Sequence, residues 1–334
     1  MAWKASDFQE LHELGRGGIA VVHLARHTPT ARLHALKRWH WPLDRLDSSE
    51  RRRAEAEAQL LRELAAEGCA DGFERACHYF GRCGDGDGRM ILVLEFVPGA
   101  PLLKHLRATS EGRFSFERAR HYIAECAVML GDLHRRGVVY RDLKLTNVLL
   151  EQPSGRLRLV DFGFAKRLST DGGGFRRTYS VVGTDYAMAP EMLVYTEELN
   201  ADGFCEVGYT LMPDWWTLGI LACELLGGRP PFGYRASETP GGASLKDLNA
   251  GCPANLDWAR LPGTLADVDT GAVARDFVAA LLQADPGLRL GGNGGGAEEV
   301  CSHAFFQGFD WAGAPPAFDE TIGWAPDGSV NRAV

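Results

Sequence analysis

Apolar residues in this chain follow one spacing up to about residue 100 and another beyond it. Residues 8–40 alternate apolar and polar and are punctuated by Gly15, Gly17 and Gly18, which predicts a β-hairpin followed by a third strand. Residues 90–97 form a short apolar run stopped by Pro98-Gly99, as a buried strand requires. One helix, over 47–64, is expected between them. Asp47 with Glu50 three residues on has the form of a capping box, and Gly68 follows the end. Past residue 100 the period lengthens. Ala119, Ile123, Ala127, Leu130 and Leu133 make a helical stripe over 116–136, closed by Gly137. Short strand pairs are expected to flank 138–160, and apolar helices to cover 214–226 and 272–283. Segregated strands and helices predict an α+β chain: a small β-rich lobe with one main helix, joined near 95–101 to a larger, mainly helical lobe. The 334 residues suffice for such a bilobal unit.

Composition excludes several classes. The net charge of −8 has the wrong sign for a general nucleic-acid binder. No apolar run is long enough to span a bilayer, and the N-terminus lacks a signal-peptide apolar region. Ala2 stands where myristoylation needs glycine. The expected location is cytoplasmic, without a membrane partner. Eight cysteines are scattered with no Cys-x-x-Cys pair, so neither a zinc nor a redox motif is supported and reduced thiols are expected. No repeat of 20–50 residues is present. The tail, 312–334, is rich in Pro, Gly and Ala and should be irregular.

Three places concentrate chemistry. Leu14-Gly15-Arg16-Gly17-Gly18-Ile19-Ala20-Val21-Val22 lies between two predicted strands, where missing side chains let backbone N–H groups approach phosphate oxygens. No helix follows, which excludes a Rossmann turn, and no Gly-Lys-Ser/Thr is present, which excludes a P-loop. Lys37 ends the apolar run His34-Ala35-Leu36 in the third strand, where its charge needs a partner if buried. On the helix, Glu57 shares a face with Leu61 and Leu64, whereas Glu55 sits about 200° away and faces solvent, so Glu57 is the expected partner. Finally, Tyr140-Arg141-Asp142-Leu143-Lys144-Leu145-Thr146-Asn147 precedes an apolar run, and Leu159-Val160-Asp161-Phe162-Gly163 follows it. Asp142 can accept a hydroxyl proton, Lys144 can neutralise a phosphoryl group, and Asn147 and Asp161 can offer oxygens to Mg²⁺.

Taken in order, Gly15-x-Gly17-x-x-Ala20-x-Val22, Ala35-Leu36-Lys37, Tyr140-Arg141-Asp142 with Asn147, Asp161-Phe162-Gly163 and Ala189-Pro190-Glu191 resemble a eukaryotic-type serine/threonine protein kinase catalytic domain over about 8–311. Tyr140, Phe164-Ala165-Lys166, Asp214-Trp215-Trp216 and His303-Ala304-Phe305-Phe306 resemble the AGC group, especially its cyclic-nucleotide-dependent members. The resemblance implies a protein-kinase-like fold with an N-lobe over about 8–97, a C-lobe over about 101–311 and a short tail after it. It implies ATP and Mg²⁺ as cofactors, protein substrates with a Ser or Thr acceptor, an upstream activating kinase and a monomeric catalytic unit. Adenine would lie against Val22, Ala35 and Leu149, with the backbone of Glu95-Phe96-Val97 at its edge and Leu94 as gatekeeper. Lys37, held by Glu57, would orient the α- and β-phosphates, and Asp142 would position the acceptor hydroxyl beside Lys144. Ser180 matches the activating phosphorylation position, with Arg141, Lys166 and Arg53 as receivers of the phosphate. Asp214 would accept backbone N–H groups of the catalytic loop, and Glu191 would pair with Arg289. The alternative is a silent nucleotide-binding scaffold.

Several positions depart from the family pattern. Ala20 replaces the third glycine, Leu145-Thr146 stands where Pro-Glu is usual, and Pro101 stands where relatives carry an acid. Two acids that attract basic substrates are thus missing. Glu224 matches a third and is either substrate-facing or a solvated helix carboxylate. A weak preference for Arg in the substrate is therefore expected. Asp185-Tyr186-Ala187 alters the segment after Thr184, the longer acidic stretch 195–209 is expected to be a solvated surface loop, with a docking surface as the alternative, and 314–318 is followed by no Phe-x-x-Phe pair.

Overall fold

The computed structural model describes residues 3–67, 79–170, 174–180, 182–193, 208–233, 268–292, 294–313 and 315. These divide into two compact units. The first takes the described residues up to Ala100 together with Leu149–Gly163; the second takes Pro101–Val148 and the described residues from Phe164 onward.

In the first unit, β1 (Phe8–Arg16), β2 (Ala20–His27), β3 (Leu33–Trp39), β4 (Tyr79–Gly84) and β5 (Met90–Glu95) form one antiparallel sheet in the order β1-β2-β3-β5-β4. Strand β4 was not expected from the sequence. The helix α1 (Ser48–Glu67) follows β3. Asp47 caps it: its Oδ1 accepts from the N–H of Ser49 at 2.7 Å and of Glu50 at 2.9 Å, and its own N–H donates to Glu50 Oε2 at 3.3 Å. This is the reciprocal capping box, and it satisfies N–H groups that the first turn leaves without intrahelical partners. The face of α1 bearing Ala54, Glu57, Ala58, Leu61 and Leu64 is buried, while Glu55 is exposed and accepts from Arg51.

Three short strands follow: β6 (Gly99–Pro101), β8 (Val148–Glu151) and β9 (Leu157–Leu159), in the order β6-β8-β9. This pairing draws Leu149–Gly163 into the first unit, whereas the sequence suggested a single division near residue 100. Gly99 (φ 155°) permits it, since a Cβ there would collide with the Leu150 carbonyl.

One face of the sheet carries Ala25, Leu36, Ile91 and Val93, with Trp3, Phe8 and Cys83 packed on it. The Trp3 indole N–H donates to the Phe80 carbonyl at 2.8 Å. His34, 4% exposed, lies edge-on to Trp3, Phe8 and Phe80. Burial pushes its pKa below the ordinary 6.5, and the charges of His27 and Arg32 push the same way. The fold therefore holds the neutral imidazole. An unfolded chain takes the proton near pH 6.5, the folded chain only at lower pH. The stability this confers is complete above pH 6.5 and is lost as pH falls from there toward the lowered folded value. We expect the melting temperature to drop between pH 7.5 and 5.5, and His34→Phe to flatten that drop; an equally steep fall in the variant would remove His34 as its source.

The second unit is helical: α2 (Leu102–Ala108), α3 (Phe116–Arg135), α4 (Pro190–Leu193), α5 (Pro213–Gly227), α6 (Val268–Leu281) and α7 (Gly296–Ser302). Helix α3 ends where Gly137 adopts φ 69°, and β7 (Val138–Val139) then pairs with β10 (Lys166–Arg167). Helix α5 is buried on every side, with Trp215 and Trp216 at 0% exposure, and packs against α3 and α6. Pro213 opens it and Gly228 (φ 75°) closes it. Phe277 of α6 stacks on Phe305 at 4.6 Å. Among the described residues no helix is long and apolar enough to cross a membrane. Cys83, Cys126, Cys223 and Cys301 are not joined in disulfides. The acidic stretch expected over 195–209 falls almost wholly outside the described residues, as does the tail beyond residue 315.

Candidate active site

Two sets of polar side chains stand out, one in each unit. In the first, strand register places Val22 opposite Lys37 and Ala35 opposite Leu94. The Lys37 ammonium lies 2.7 and 2.9 Å from the two Glu57 oxygens and 2.8 Å from Asp161 Oδ1. Burial works against the ammonium, but the two carboxylates outweigh it and the Lys37 pKa rises above its ordinary value. The helix-face argument gives the Glu57 contact; the Asp161 contact was not foreseen. Asp161 Oδ1 also accepts from the Gly163 N–H at 3.2 Å, and its side chain is half exposed.

Around this ion cluster, Val22, Leu94 and Leu149 are only partly buried, whereas Ala35 and Val97 are buried. These are the residues that the resemblance assigns to adenine. The Gly-rich turn from Leu14 to Val22 joins β1 to β2, with the Gly17 N–H donating to the Ala20 carbonyl at 2.8 Å. Arg16, Gly17 and Gly18 are exposed, and the space beside Gly15 and Gly18 where a Cβ would sit is open.

In the second unit, the loop after β7 is fastened by Asp214 at the start of α5. Its carboxylate accepts from the N–H of Tyr140 at 2.8 Å and of Arg141 at 2.7 Å, as the resemblance implies, and His134 Nε2 lies 2.8 Å away. On this loop Asp142 is 3% exposed. The Asn147 amide donates to the Asp142 carbonyl at 2.9 Å and to Oδ2 at 2.8 Å. Lys144 Nζ lies 2.8 Å from Asp142 Oδ2 and donates to Thr184 Oγ1 at 2.8 Å. Thr184 in turn donates to Asp142 Oδ1 at 2.7 Å. Asp142, Lys144 and Thr184 thus close a ring. Thr184 lies 42 residues away in the chain, and no local pattern marks it for this role.

Arg141 anchors a third group within the same unit. Its Nε donates to the Phe164 carbonyl at 2.6 Å, and Nη1 donates to Ser180 Oγ at 2.7 Å and to the Tyr209 hydroxyl at 3.0 Å. Lys166 donates to Thr178 Oγ1 at 2.8 Å; burial and the Arg141 charge lower its pKa. Thr178 is buried while Ser180 is exposed. Arg53, named with these cations from the sequence, belongs to α1 of the first unit.

Backbone strain falls on both sets. Arg141 (φ 68°) and Asp161 (φ 61°) adopt the left-handed region that non-glycine residues rarely visit. Such conformations cost about 1–3 kcal/mol each and persist where surrounding contacts over-determine them.

Glu191 and Arg289 make the expected pair, at 2.6 and 2.8 Å. Glu224 is 1% exposed, which overturns the solvated reading; the Tyr186 hydroxyl donates to its Oε1 at 3.4 Å.

For a divalent cation, the described residues hold no cluster of three or more His, Cys, Asp or Glu side chains. Magnesium usually takes only one or two protein oxygens and fills its shell with water and phosphate. Asp161 in the first unit and Asn147 in the second each carry an oxygen of that kind. Asp161 presents a half-exposed carboxylate, and the Asn147 amide nitrogen is committed to Asp142, which orients its oxygen as the acceptor.

The chain matches the family model described as protein kinase domain over residues 8–306. It is 34% identical over 312 residues to ribosomal protein S6 kinase alpha-4 of Mus musculus, covering 91% of this chain and 36% of that protein. It is 30% identical over 315 residues to the cAMP-dependent protein kinase catalytic subunit PRKX of Homo sapiens, covering 94% of this chain and 75% of the relative. Against RAC-beta serine/threonine-protein kinase A of Xenopus laevis the identity is 32%, over 92% of this chain and 54% of the relative. The chain spans about a third of the length of the S6 kinase.

Proposed function

The chain belongs to the protein kinase family, in its AGC serine/threonine group, and from that premise we propose that it transfers the γ-phosphoryl group of ATP to a Ser or Thr hydroxyl of a protein substrate. The observation that carries this reading is the Asp142–Lys144–Thr184 ring, in which the Asp142 carboxylate already accepts a hydroxyl beside an ammonium. That is the arrangement a seryl or threonyl acceptor needs.

Each residue has one part in the proposal. Val22, Ala35 and Leu149 bind adenine, the backbone of Glu95 and Val97 meets its edge, and Leu94 bounds the pocket. The turn from Leu14 to Val22 offers N–H groups to phosphate. Lys37 orients the α- and β-phosphates and is held by Glu57. Asp161 and Asn147 hold magnesium, which when bound neutralises phosphate charge. Asp142 accepts the hydroxyl proton and fixes the line of attack, and Lys144 stabilises negative charge on the moving phosphoryl group. The catalytic domain covers 8–311 and works as a monomeric unit in the cytoplasm. Incorporation of labelled phosphate from ATP into Ser/Thr peptides, with Asp142→Asn as control, tests the reading. Equal incorporation by both proteins would refute it.

Control is proposed at Ser180. Ser180 is exposed and its hydroxyl is already bonded to Arg141, which directly precedes Asp142 on the same loop. Phosphorylation by an upstream kinase would add a charge of about −1.5 to −2 against Arg141 and Lys166. We expect Ser180→Ala to lower peptide phosphorylation by about 5- to 150-fold, the span of ordinary coupling energies. Steady-state rates of the variant and of the protein phosphorylated at Ser180 check this, and equal rates would exclude the switch.

A further inference from the structure

We propose that Arg158 is a positioning residue for the adenine-binding edge, setting the gap between the strand ends that carry Glu95 and Leu149. The inference rests on the reading of Val22, Ala35, Leu149 and the 95–97 backbone as the adenine site. Arg158 lies in the middle of β9, 8% exposed. Its Nη2 donates to Glu95 Oε2 at 2.5 Å, and its Nη1 donates to Glu151 Oε1 at 3.0 Å. Glu95 is the last residue of β5 and directly precedes the backbone assigned to the base edge. Glu151 is the last residue of β8, two residues beyond Leu149, so their side chains point to the same side of that strand.

The two strands belong to different sheets. Strand β5 lies between β3 and β4 in the five-stranded sheet, and β8 lies between β6 and β9 in the three-stranded one. One guanidinium therefore staples the end of one sheet to the end of the other, on the two segments that would flank adenine. A backbone bond from the Gln152 N–H to the Pro98 carbonyl, 2.7 Å, closes the same junction from the side. The guanidinium does this from two separate nitrogens, whose directions its planar fork fixes at once. An ammonium gathers its donors on one atom and lacks that fixed spread. Without the cation, Glu95 and Glu151 are two partly buried carboxylates of like charge, and their strand ends should move apart.

The test compares wild type, Arg158→Met and Arg158→Lys by direct titration with ATP and with adenosine, and by steady-state kinetics. For Arg158→Met we expect the Kd for ATP and for adenosine to rise together by about tenfold, with kcat at saturating ATP and the peptide KM within about twofold of wild type. Arg158→Lys should fall between, at about threefold. The common loss for adenosine assigns the effect to the base and not to phosphate or magnesium. A wild-type adenosine Kd in either variant, or a fall in kcat at unchanged ATP affinity, overturns the inference. If Arg158→Met fails to fold, Arg158→Lys alone decides: a weakened adenosine Kd supports the staple and an unchanged one removes it. Failure of wild type to bind adenosine at all would instead strike at the adenine site itself.

Discussion

Asp142→Asn is expected to lower kcat by about 10²–10⁴, the span that general-base catalysis contributes, while ATP affinity stays within about twofold. The amide has nearly the shape of the carboxylate, so packing is conserved. Its hydrogen bonding is not. Oδ2 now accepts from Asn147 and faces the Lys144 ammonium, and Oδ1 accepts from Thr184. Three donors converge on two acceptor oxygens, and an amide offers only one. Wherever its NH₂ sits, a former donor faces a donor or an acceptor hydroxyl must be rearranged. The variant also cannot take a proton from an incoming hydroxyl. The loop itself should hold its path, since Asp214 and not Asp142 receives the Tyr140 and Arg141 N–H groups. Single-turnover phosphate transfer together with an ATP titration separates the two effects. A variant within tenfold of the wild-type rate would deny Asp142 its role.

Arg289→Met is expected to have the largest effect on stability, about 3–5 kcal/mol, because it strands a carboxylate in the core. The Arg289 side chain is fully buried and Glu191 nearly so. The guanidinium forms two parallel bonds to Glu191, adds bonds to the Met212 carbonyl at 2.9 Å and the Gln283 carbonyl at 3.0 Å, and lies over the Trp216 ring at 5.3 Å. It thus links α4, the start of α5 and the turn after α6. Methionine fills some of the volume and answers none of these acceptors. For a domain of about 300 residues the loss corresponds to roughly 5–8 °C in melting temperature. Below the transition, catalytic constants of the folded protein should be close to wild type. Thermal unfolding of Arg289→Met beside the double variant Arg289→Met/Glu191→Leu checks the cause: removing the stranded carboxylate as well should recover part of the loss. No recovery in the double variant would point to packing instead of the stranded charge.

What the sequence discloses about this molecule follows the range of the rule applied. Asp47 as cap and Glu57 as the buried acid of α1 come from spacing within one helix, and both stand in the structure. The Asp214 and Glu191–Arg289 contacts span long separations and were accessible only through the family resemblance. Thr184 on Asp142, Tyr209 on Arg141 and Asp161 on Lys37 join segments 42, 68 and 124 residues apart, and no local pattern marks them. Strand β4 reads poorly because Gly81 and Gly84 dilute its alternation. Glu224 shows the opposite failure. A carboxylate on a helix suggests water, but α5 is buried on every side and takes Glu224 with it.

The segment 149–163 has a consequence for how this protein is made. Most of the β-rich body is supplied early by the ribosome, yet β8, β9, Leu149 and Asp161 arrive only after an entire intervening stretch has been translated. At about 5–20 residues per second, the nascent five-stranded sheet waits several seconds for its completing strands. During that wait Lys37 has Glu57 but not Asp161, and Glu95 has no Arg158. Any shortened product ending near residue 100 lacks β8 and β9 and, with them, the Asp161 contact to Lys37 and the Arg158 contact to Glu95.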